Sequence, residues 1–246
     1  MRIQLHGQFM VVVDGRVVQG RLPGRRARML VAYLADRPRP IERTALMEVL
    51  WEPGPPGPGG PRVFDALLSK TRAVLRPVEI RGRDAVNLVV PPGGLVDATT
   101  AAMALHEAEA AAGVRDWRRA WAHALSAVFV TQREFLPGFT GEWVARRRDE
   151  ARLAHTAATA CYAEACLELG GSELASAERC ARRLLADDPL GERGYRLLMR
   201  AVAGRGDRAA ALAVYQQLRR TLRDELGVSP DRRSTELNRA LLAGEV

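Results

Sequence analysis

The chain has 246 residues, of which 37 are basic and 29 acidic, so its formal net charge at pH 7 is +8. This length suits one large domain or two ordinary ones, since single domains usually contain roughly 100–200 residues. A composition of 47% apolar and 27% charged residues is globular, which argues against wholesale disorder, collagen and coiled coils.

The chain also lacks the usual signals for a membrane or an oxidising compartment. No apolar run approaches the roughly 18 residues that a bilayer span needs, and residues 1–8 lack a signal peptide's apolar core. We therefore expect a cytoplasmic protein with no membrane partner. Its cysteines are odd in number and form no CxxC motif, so we predict small buried side chains and neither a disulfide framework nor a zinc site. They are Cys161, Cys166 and Cys180.

The net charge is concentrated at the front of the chain. Residues 1–92 contain 15 basic and 8 acidic side chains, whereas the remainder contains 22 and 21. This imbalance suggests an anion-binding front domain joined to a neutral body. The alternative is a solvated, arginine-rich surface that reflects a GC-rich genome, and composition alone does not separate the two.

The first predicted elements are a hairpin and three helices. Apolar residues alternate from Ile3 to Val13, and Asp14-Gly15 then predicts a primed turn. Helical periodicity covers residues 25–35, 41–51 and about 61–75. Between the last two helices, Glu52–Pro61 contains only Gly and Pro after the glutamate, which predicts a loop.

A second hairpin precedes the predicted domain boundary. Residues 78–80 and 86–90 are predicted strands on either side of Arg81-Gly82-Arg83-Asp84. After residues 91–94, Pro-Pro-Gly-Gly, the β pattern ends and helical pattern continues nearly to the end. We therefore predict two domains, 1–92 and 93–246.

Small and apolar residues in the second domain recur with a period of 34, which is typical of tetratricopeptide repeats. An earlier unit at 116–124 has the same spacing, but about 23 extra residues, around 129–151, follow it. The alternative is coincidence in an alanine-rich helical bundle. The matched positions are Ala177, Ala181, Leu184 and Leu185 against Ala211, Tyr215, Leu218 and Arg219, with Asp116, Ala120 and Ala124 in the earlier unit.

The third helix has one apolar face and one face suited to DNA. Its predicted buried residues are Phe64, Leu67, Leu68, Thr71 and Leu75. Small side chains let a backbone approach closely, and arginines suit phosphates and guanine edges. A solvated amphipathic helix is the plainer interpretation. The predicted exposed face carries Arg62, Asp65, Ala66, Ser69, Ala73 and Arg76, with Lys70 and Arg72 on its flanks.

Three features together favour a winged helix-turn-helix: the preceding helix, the following hairpin and the local charge excess. In this interpretation the third helix enters the major groove and the second hairpin is the wing. Asp65 lies one turn from Arg62 and Ser69, where it can orient an arginine or accept a hydrogen bond from a cytosine amino group, and we favour the orienting role. The predicted DNA-binding residues are Arg25, Arg26, Arg28 and Arg43 near helix starts, Arg62, Asp65, Ser69, Lys70, Arg72 and Arg76 on the third helix, and Arg81 and Arg83 on the wing.

Four stretches carry a family resemblance. They are Ala-Leu-Ala-Val-Tyr-Gln-Gln-Leu-Arg-Arg at 211–220, Asp-Glu-Leu-Gly-Val-Ser-Pro at 224–230, Glu-Leu-Asn-Arg-Ala-Leu-Leu at 236–242 and Leu-Met-Glu-Val-Leu-Trp at 46–51. In this order they resemble the Streptomyces antibiotic regulatory protein (SARP) family. The resemblance implies an α+β, OmpR-like winged helix-turn-helix followed by an all-α, tetratricopeptide-like bacterial transcriptional activation domain.

The resemblance also implies a function. Family members are activators that read direct repeats in double-stranded promoter DNA as side-by-side protomers, a homodimer on DNA, often at biosynthetic gene clusters such as those for antibiotics. They contact RNA polymerase, through the sigma factor and the alpha subunit, and the Glu52–Pro61 loop occupies the position that faces polymerase. The wing departs from the family's Gly-x-Gly-Tyr-like turn, and the loop is about one residue longer.

Nothing in the sequence predicts an enzyme. The four histidines have no metal spacing, and no serine lies in a Gly-x-Ser-x-Gly elbow, so we expect no catalytic set, metal or cofactor. Two other functions stay open: a protein-interaction adaptor with a vestigial DNA-binding domain, and a repressor that uses the same DNA contacts. The histidines are His6, His106, His123 and His155.

Overall fold

The computed structural model of the chain describes residues 1–52, 54, 57 and 59–245, so most prolines of the predicted 52–61 loop lie outside the described residues. The chain divides into two compact units. Unit 1 contains Met1–Met103 and Phe129–Leu153, and unit 2 contains Ala104–Val128 and the chain from Ala154 onward. The domain boundary after residue 92 stays a prediction, and unit 1 also takes in a segment from much later in the chain.

Unit 1 combines two small sheets with helices. In one sheet the strand order is β3-β2-β1-β7, with β1 antiparallel to β2 and parallel to β7, and in the other it is β4-β6-β5. The elements are, in chain order, β1 (Arg2–Gln4), β2 (Met10–Val13), β3 (Arg16–Val17), α1 (Gly24–Asp36), β4 (Ile41–Glu42), α2 (Arg43–Leu50), α3 (Gly60–Leu75), β5 (Ile80–Arg81), β6 (Ala85–Leu88) and β7 (Leu95–Val96).

The later elements are helical. Helices α4 (Asp97–Gly113), α5 (Trp117–Thr131) and α6 (Glu142–Leu169) each contribute residues to both units. Unit 2 then continues with α7 (Leu174–Asp187), α8 (Glu192–Gly204), α9 (Arg208–Leu226) and α10 (Arg232–Ala243).

The first hairpin confirms its sequence prediction. Asp14 and Gly15 have positive φ angles of 48° and 75°, as a primed turn requires. The turn joins β2 to β3, which pair antiparallel.

Two local predictions were wrong, and long-range pairing explains both. Ile41 and Glu42 were predicted to open the second helix, but they form β4 and pair with Val86 and Ala85 of β6. The β pattern was predicted to end by residue 94, but Leu95–Val96 forms β7 beside β1. A two-residue strand is too short to show a period, so its partner strand decides its structure.

Segment 129–153 completes the core of unit 1. Phe135 and Trp143 are buried among residues from the first 103 positions. The Trp143 ring meets Tyr33 edge-on at 4.8 Å and Phe135 at 5.7 Å between centroids. The extra residues predicted around 129–151 thus coincide with the segment that packs into unit 1.

Polar contacts fix the same segment. The Asp36 carboxylate, whose side chain is only 6% exposed, accepts a hydrogen bond from Arg147 at 2.8 Å. Arg148 donates to the carbonyl oxygens of Phe135, Leu136 and Phe139 at 2.9, 2.8 and 3.1 Å. These bonds satisfy backbone acceptors in the loop between α5 and α6.

Alanines allow close helix packing in the first half of unit 2. Three successive layers join α4, α5 and α6, and small side chains let three helix backbones approach one another. The layers are Ala104, Ala127 and Ala158, then Ala108, Ala124 and Cys161, then Ala111, Ala120 and Ala165. Cys161 and Cys166 are buried, as predicted, whereas Cys180 is only half-buried.

Two of the last four helices, α7 and α9, follow the predicted spacing. Leu174 and Arg208, the first residues of α7 and α9, lie 34 positions apart. Asp207 caps α9 by accepting a hydrogen bond from the Ala210 amide at 2.8 Å. Their assignment to the tetratricopeptide class stays a prediction. Of the matched positions, Leu185 is half-buried and Arg219 is exposed, and the others are buried: Ala177, Ala181, Leu184, Ala211, Tyr215 and Leu218.

Candidate nucleic-acid interface

Helix α3 has the two faces that its sequence predicts. Phe64, Leu68, Thr71 and Leu75 are buried, and Leu67 is half-buried. Thr71 avoids an unsatisfied hydroxyl because its Oγ1 donates to the Leu67 carbonyl at 2.7 Å. The predicted exposed residues Arg62, Asp65, Ala66, Ser69, Lys70 and Ala73 are exposed, as are Val63 and, directly after the helix, Arg76.

Arg43 joins the start of α2 to the start of α3. Its Nη1 lies 2.6 Å from the Asp65 carboxylate, and its Nη2 donates to the Pro61 carbonyl at 2.7 Å. Its guanidinium lies 4.9 Å from the Phe64 ring centroid. Asp65 thus orients an arginine, but that arginine is on α2 and is not its neighbour Arg62. Arg43 itself is largely engaged within the protein, so its predicted phosphate contact stays a prediction.

The Arg43 partner gives Asp65 a testable acid–base property. The hydrogen bond from Arg43 lowers the pKa of the Asp65 carboxyl below its ordinary value, and the charges of Arg43, Arg83 and Arg72 add to this effect. Because the folded-state pKa is lowered, the contribution to stability is present above the unfolded pKa and is lost as pH falls through the folded one.

We expect Arg43→Ala to return the pKa of Asp65 toward its ordinary value, because the largest lowering cause is removed. Carboxyl-carbon NMR titration of the full chain measures this directly. Lys70→Ala, also on the surface of α3, is the matched control and leaves the pKa of Asp65 as it is. An Asp65 pKa that stays low in Arg43→Ala contradicts the assignment of this ion pair.

The hairpin formed by β5 and β6, here called hairpin 80–88, is tied to α3 by Arg72. The Nε of Arg72 donates to the Ile80 carbonyl at 2.9 Å, and its Nη2 donates to the Gly82 carbonyl at 2.6 Å. Gly82 has a φ of +93°, and a Cβ there would collide with the Ala85 carbonyl oxygen. The turn also accepts a hydrogen bond at the Asp84 carbonyl from the Arg43 amide, at 2.8 Å.

The two predicted arginines of hairpin 80–88 are exposed. Arg81 forms a 2.6 Å ion pair with Glu79, and both side chains are well exposed to solvent. Arg83 lies in the turn between β5 and β6. An exposed ion pair of this kind contributes little to stability, so Arg81 can exchange Glu79 for another partner. Arg83 is accessible because it is exposed.

The arginines of α1 lie near the opposite flank of α3. Arg25 donates to the Thr140 hydroxyl at 3.0 Å, and Arg26 donates to the Leu50 carbonyl at 3.3 Å. Both line a groove of about 770 Å³ together with Lys70. Arg28 is half-buried, and its Nε has no hydrogen-bond partner among the described residues.

The structure therefore sorts the predicted residues into groups. Arg62 and Ser69 project from the exposed face of α3, whereas Arg43 and Arg72 bind other parts of unit 1. Arg76 was predicted on the helix but lies directly after its end at Leu75. Sequence reasoning missed Thr140, which fixes Arg25. The only sequence signal for it was the excess length around 129–151.

The described residues contain no candidate for two further classes of site. Within residues 1–52, 54, 57 and 59–245, no helix combines the length and apolarity that a membrane span requires. In the same part of the chain, no three His, Cys, Asp or Glu side chains are grouped as a metal site.

Comparison with known proteins identifies the family. The family model for the bacterial transcriptional activator domain matches residues 96–242. The chain belongs to this family. The resemblance to SARP regulators is thereby confirmed, and the relatives that follow are transcriptional regulators.

The regulatory protein AfsR of Streptomyces coelicolor is 31% identical over 258 residues, covering 100% of this chain and 24% of AfsR. The transcriptional regulatory protein EmbR of Mycobacterium tuberculosis is 28% identical, covering 97% of this chain and 62% of EmbR. This chain therefore spans less than two thirds of either relative.

A solved structure shares the fold. The structure of M. tuberculosis EmbR in complex with a low-affinity phosphopeptide superimposes with a TM-score of 0.81 at 23% identity. The match covers 99% of this chain and 65% of that one. The whole arrangement of small sheets followed by helices is thus an established fold.

Proposed function

We propose that this protein is a sequence-specific DNA-binding activator of transcription that binds promoter direct repeats and recruits RNA polymerase. The observation that carries the proposal is the exposed face of α3, with small residues at its centre and arginines at both ends, in the most basic third of the chain. Ala66 and Ala73 leave room for a base-pair edge to approach the helix, and Arg62 and Arg76 flank them.

In this proposal, residues on both sides of the exposed face of α3 contact the DNA backbone. Hairpin 80–88 acts as the wing, and its exposed Arg81 and Arg83 meet phosphates. Lys70 and the arginines of α1 supply further cations on the other flank. Backbone contacts of this kind set affinity and register, while α3 sets sequence preference.

Family membership supports the activator role and the partners. We infer that protomers bind side by side on direct repeats and that the helical residues after 96 contact RNA polymerase, including its sigma factor and alpha subunit. Target promoters of a biosynthetic gene cluster and a cytoplasmic location belong to the same proposal. Neither a cofactor nor a catalytic step is part of it.

Footprinting and transcription assays together test the proposal. We expect the purified full chain to protect a direct repeat upstream of a target promoter, and to increase open-complex formation by purified RNA polymerase on that promoter. Protection with decreased open-complex formation identifies a repressor. An absence of any protected site across a genomic library favours the protein-interaction adaptor, whose DNA-binding face is vestigial.

A further inference from the structure

We propose that Arg72 is a positioning residue that locks hairpin 80–88 onto α3, and that it is not one of the direct phosphate contacts. The proposal deepens the proposed function, since it assigns the geometry that lets α3 and the wing engage DNA together. It assigns Arg72 a different role from the direct DNA contact that its charge and its place on the helix flank suggest.

The hydrogen bonds carry the argument. Two donors of one planar guanidinium reach two carbonyls of the hairpin, those of Ile80 and Gly82, at 2.9 and 2.6 Å. A guanidinium holds its donors in a fixed fork, so two bonds define both its orientation and the position of the strand that accepts them. Arg72 is half-buried, whereas Arg62 on the same helix and Arg76 directly after it are exposed.

The hairpin needs such an external contact. Strands β5 and β6 pair over only two positions, Ile80 with Leu88 and Arg81 with Asn87. A hairpin this short is at best marginally stable in water, so its attachment to neighbouring elements determines how rigid it is. β4 holds the β6 side through Ile41 and Glu42, and Arg72 holds the β5 side and the turn.

The consequence for DNA binding is geometric. Arg83 follows Gly82, whose carbonyl Arg72 holds, and its charge acts on Asp65 of α3. The hairpin turn that carries this cation is therefore held against α3 before DNA arrives. Pre-organisation of this kind removes an ordering cost from binding.

Hydrogen exchange of the free protein tests the lock without DNA. In Arg72→Ala, we expect amides of β5 and β6 to exchange at least about tenfold faster, because the opening of the hairpin no longer breaks two charge-assisted bonds. Arg76→Ala, the next exposed arginine, is the matched control and leaves those amides unchanged. Unchanged hairpin exchange in Arg72→Ala overturns the proposal.

Arg72→Lys separates positioning from phosphate binding. Lysine keeps the positive charge but lacks the planar fork. It therefore retains a phosphate contact but loses the pair of hydrogen bonds to the hairpin. We expect Arg72→Lys to loosen the hairpin and to lose footprint protection on the wing side, with protection by α3 retained. The opposite outcome is wild-type exchange and wild-type wing protection in Arg72→Lys, together with a salt slope that is reduced only in Arg72→Ala. That outcome identifies a direct phosphate contact and overturns the proposal.

The two proposals fail in different ways. If the wild-type chain binds no DNA, the proposed function fails, yet the exchange comparison still decides whether Arg72 locks the hairpin. If Arg72→Ala does not fold, Arg72→Lys carries both measurements, because it preserves charge and most of the side-chain volume.

Discussion

Replacing Phe135 by alanine is expected to lower the free energy of unfolding by about 3–5 kcal/mol, the usual cost of emptying a buried aromatic site. Phe135 is only 1% exposed, and its ring contacts His6 and Trp143 edge-on. The cavity left by the missing ring lies between elements that are distant in sequence, so local rearrangement does not fill it. Urea unfolding of the full chain, followed by circular dichroism, measures the loss.

Phe129→Ala is the matched control for this substitution. Phe129 belongs to the same segment but is 62% exposed, so its loss is expected to change stability by less than about 0.5 kcal/mol. Equal stability of Phe135→Ala and Phe129→Ala contradicts the assignment of segment 129–153 to the core of unit 1. A large effect of Phe135 alone means that the stability of unit 1 depends on residues far beyond position 92.

Arg62→Ala is expected to cost about 1–3 kcal/mol of discrimination between the specific site and random DNA, the usual value of one good side-chain contact to a base edge. Arg62 lies in the first turn of α3, where its side chain is exposed and adjoins the small residues of the proposed groove-facing surface. Binding assays on specific and random duplexes, each over a range of salt concentrations, measure the change.

Arg81→Ala supplies the contrast for Arg62→Ala. If Arg81 contacts a phosphate, Arg81→Ala is expected to weaken binding to both duplexes alike and to reduce the salt slope by about 0.9. Equal losses on specific and random DNA for Arg62→Ala contradict its role in base recognition. Loss of folding is not the expected cause, since both side chains are exposed.

Local sequence patterns were sufficient for α1 and for the faces of α3. Phe64, Leu68 and Leu75 fall on one side of the helix because the helical period places them there, and burial follows from their apolar surface. The primed turn at Asp14-Gly15 was equally predictable, because few residue pairs adopt two positive φ angles. The charge excess of the first 92 residues likewise required only counting.

The extra residues around 129–151 were visible in the sequence, but the sequence did not show that they pack into the core of unit 1. A packing partner such as Tyr33 for Trp143 lies more than a hundred positions away, and no local period encodes that contact. The same holds for β7, which has only two residues and takes its structure from β1.

The sequence by itself determined the helical periodicity, the turn, the repeat spacing and which third of the chain carries the charge, because each depends on neighbours within a few residues or on simple counts. Only the tertiary structure decided which arginines remain exposed. Arg43, Arg62 and Arg72 are identical in charge, but Arg43 binds Asp65, Arg72 binds the hairpin and Arg62 faces solvent. Their hydrogen-bond partners come from other elements, and those partners are brought within reach only when the chain folds.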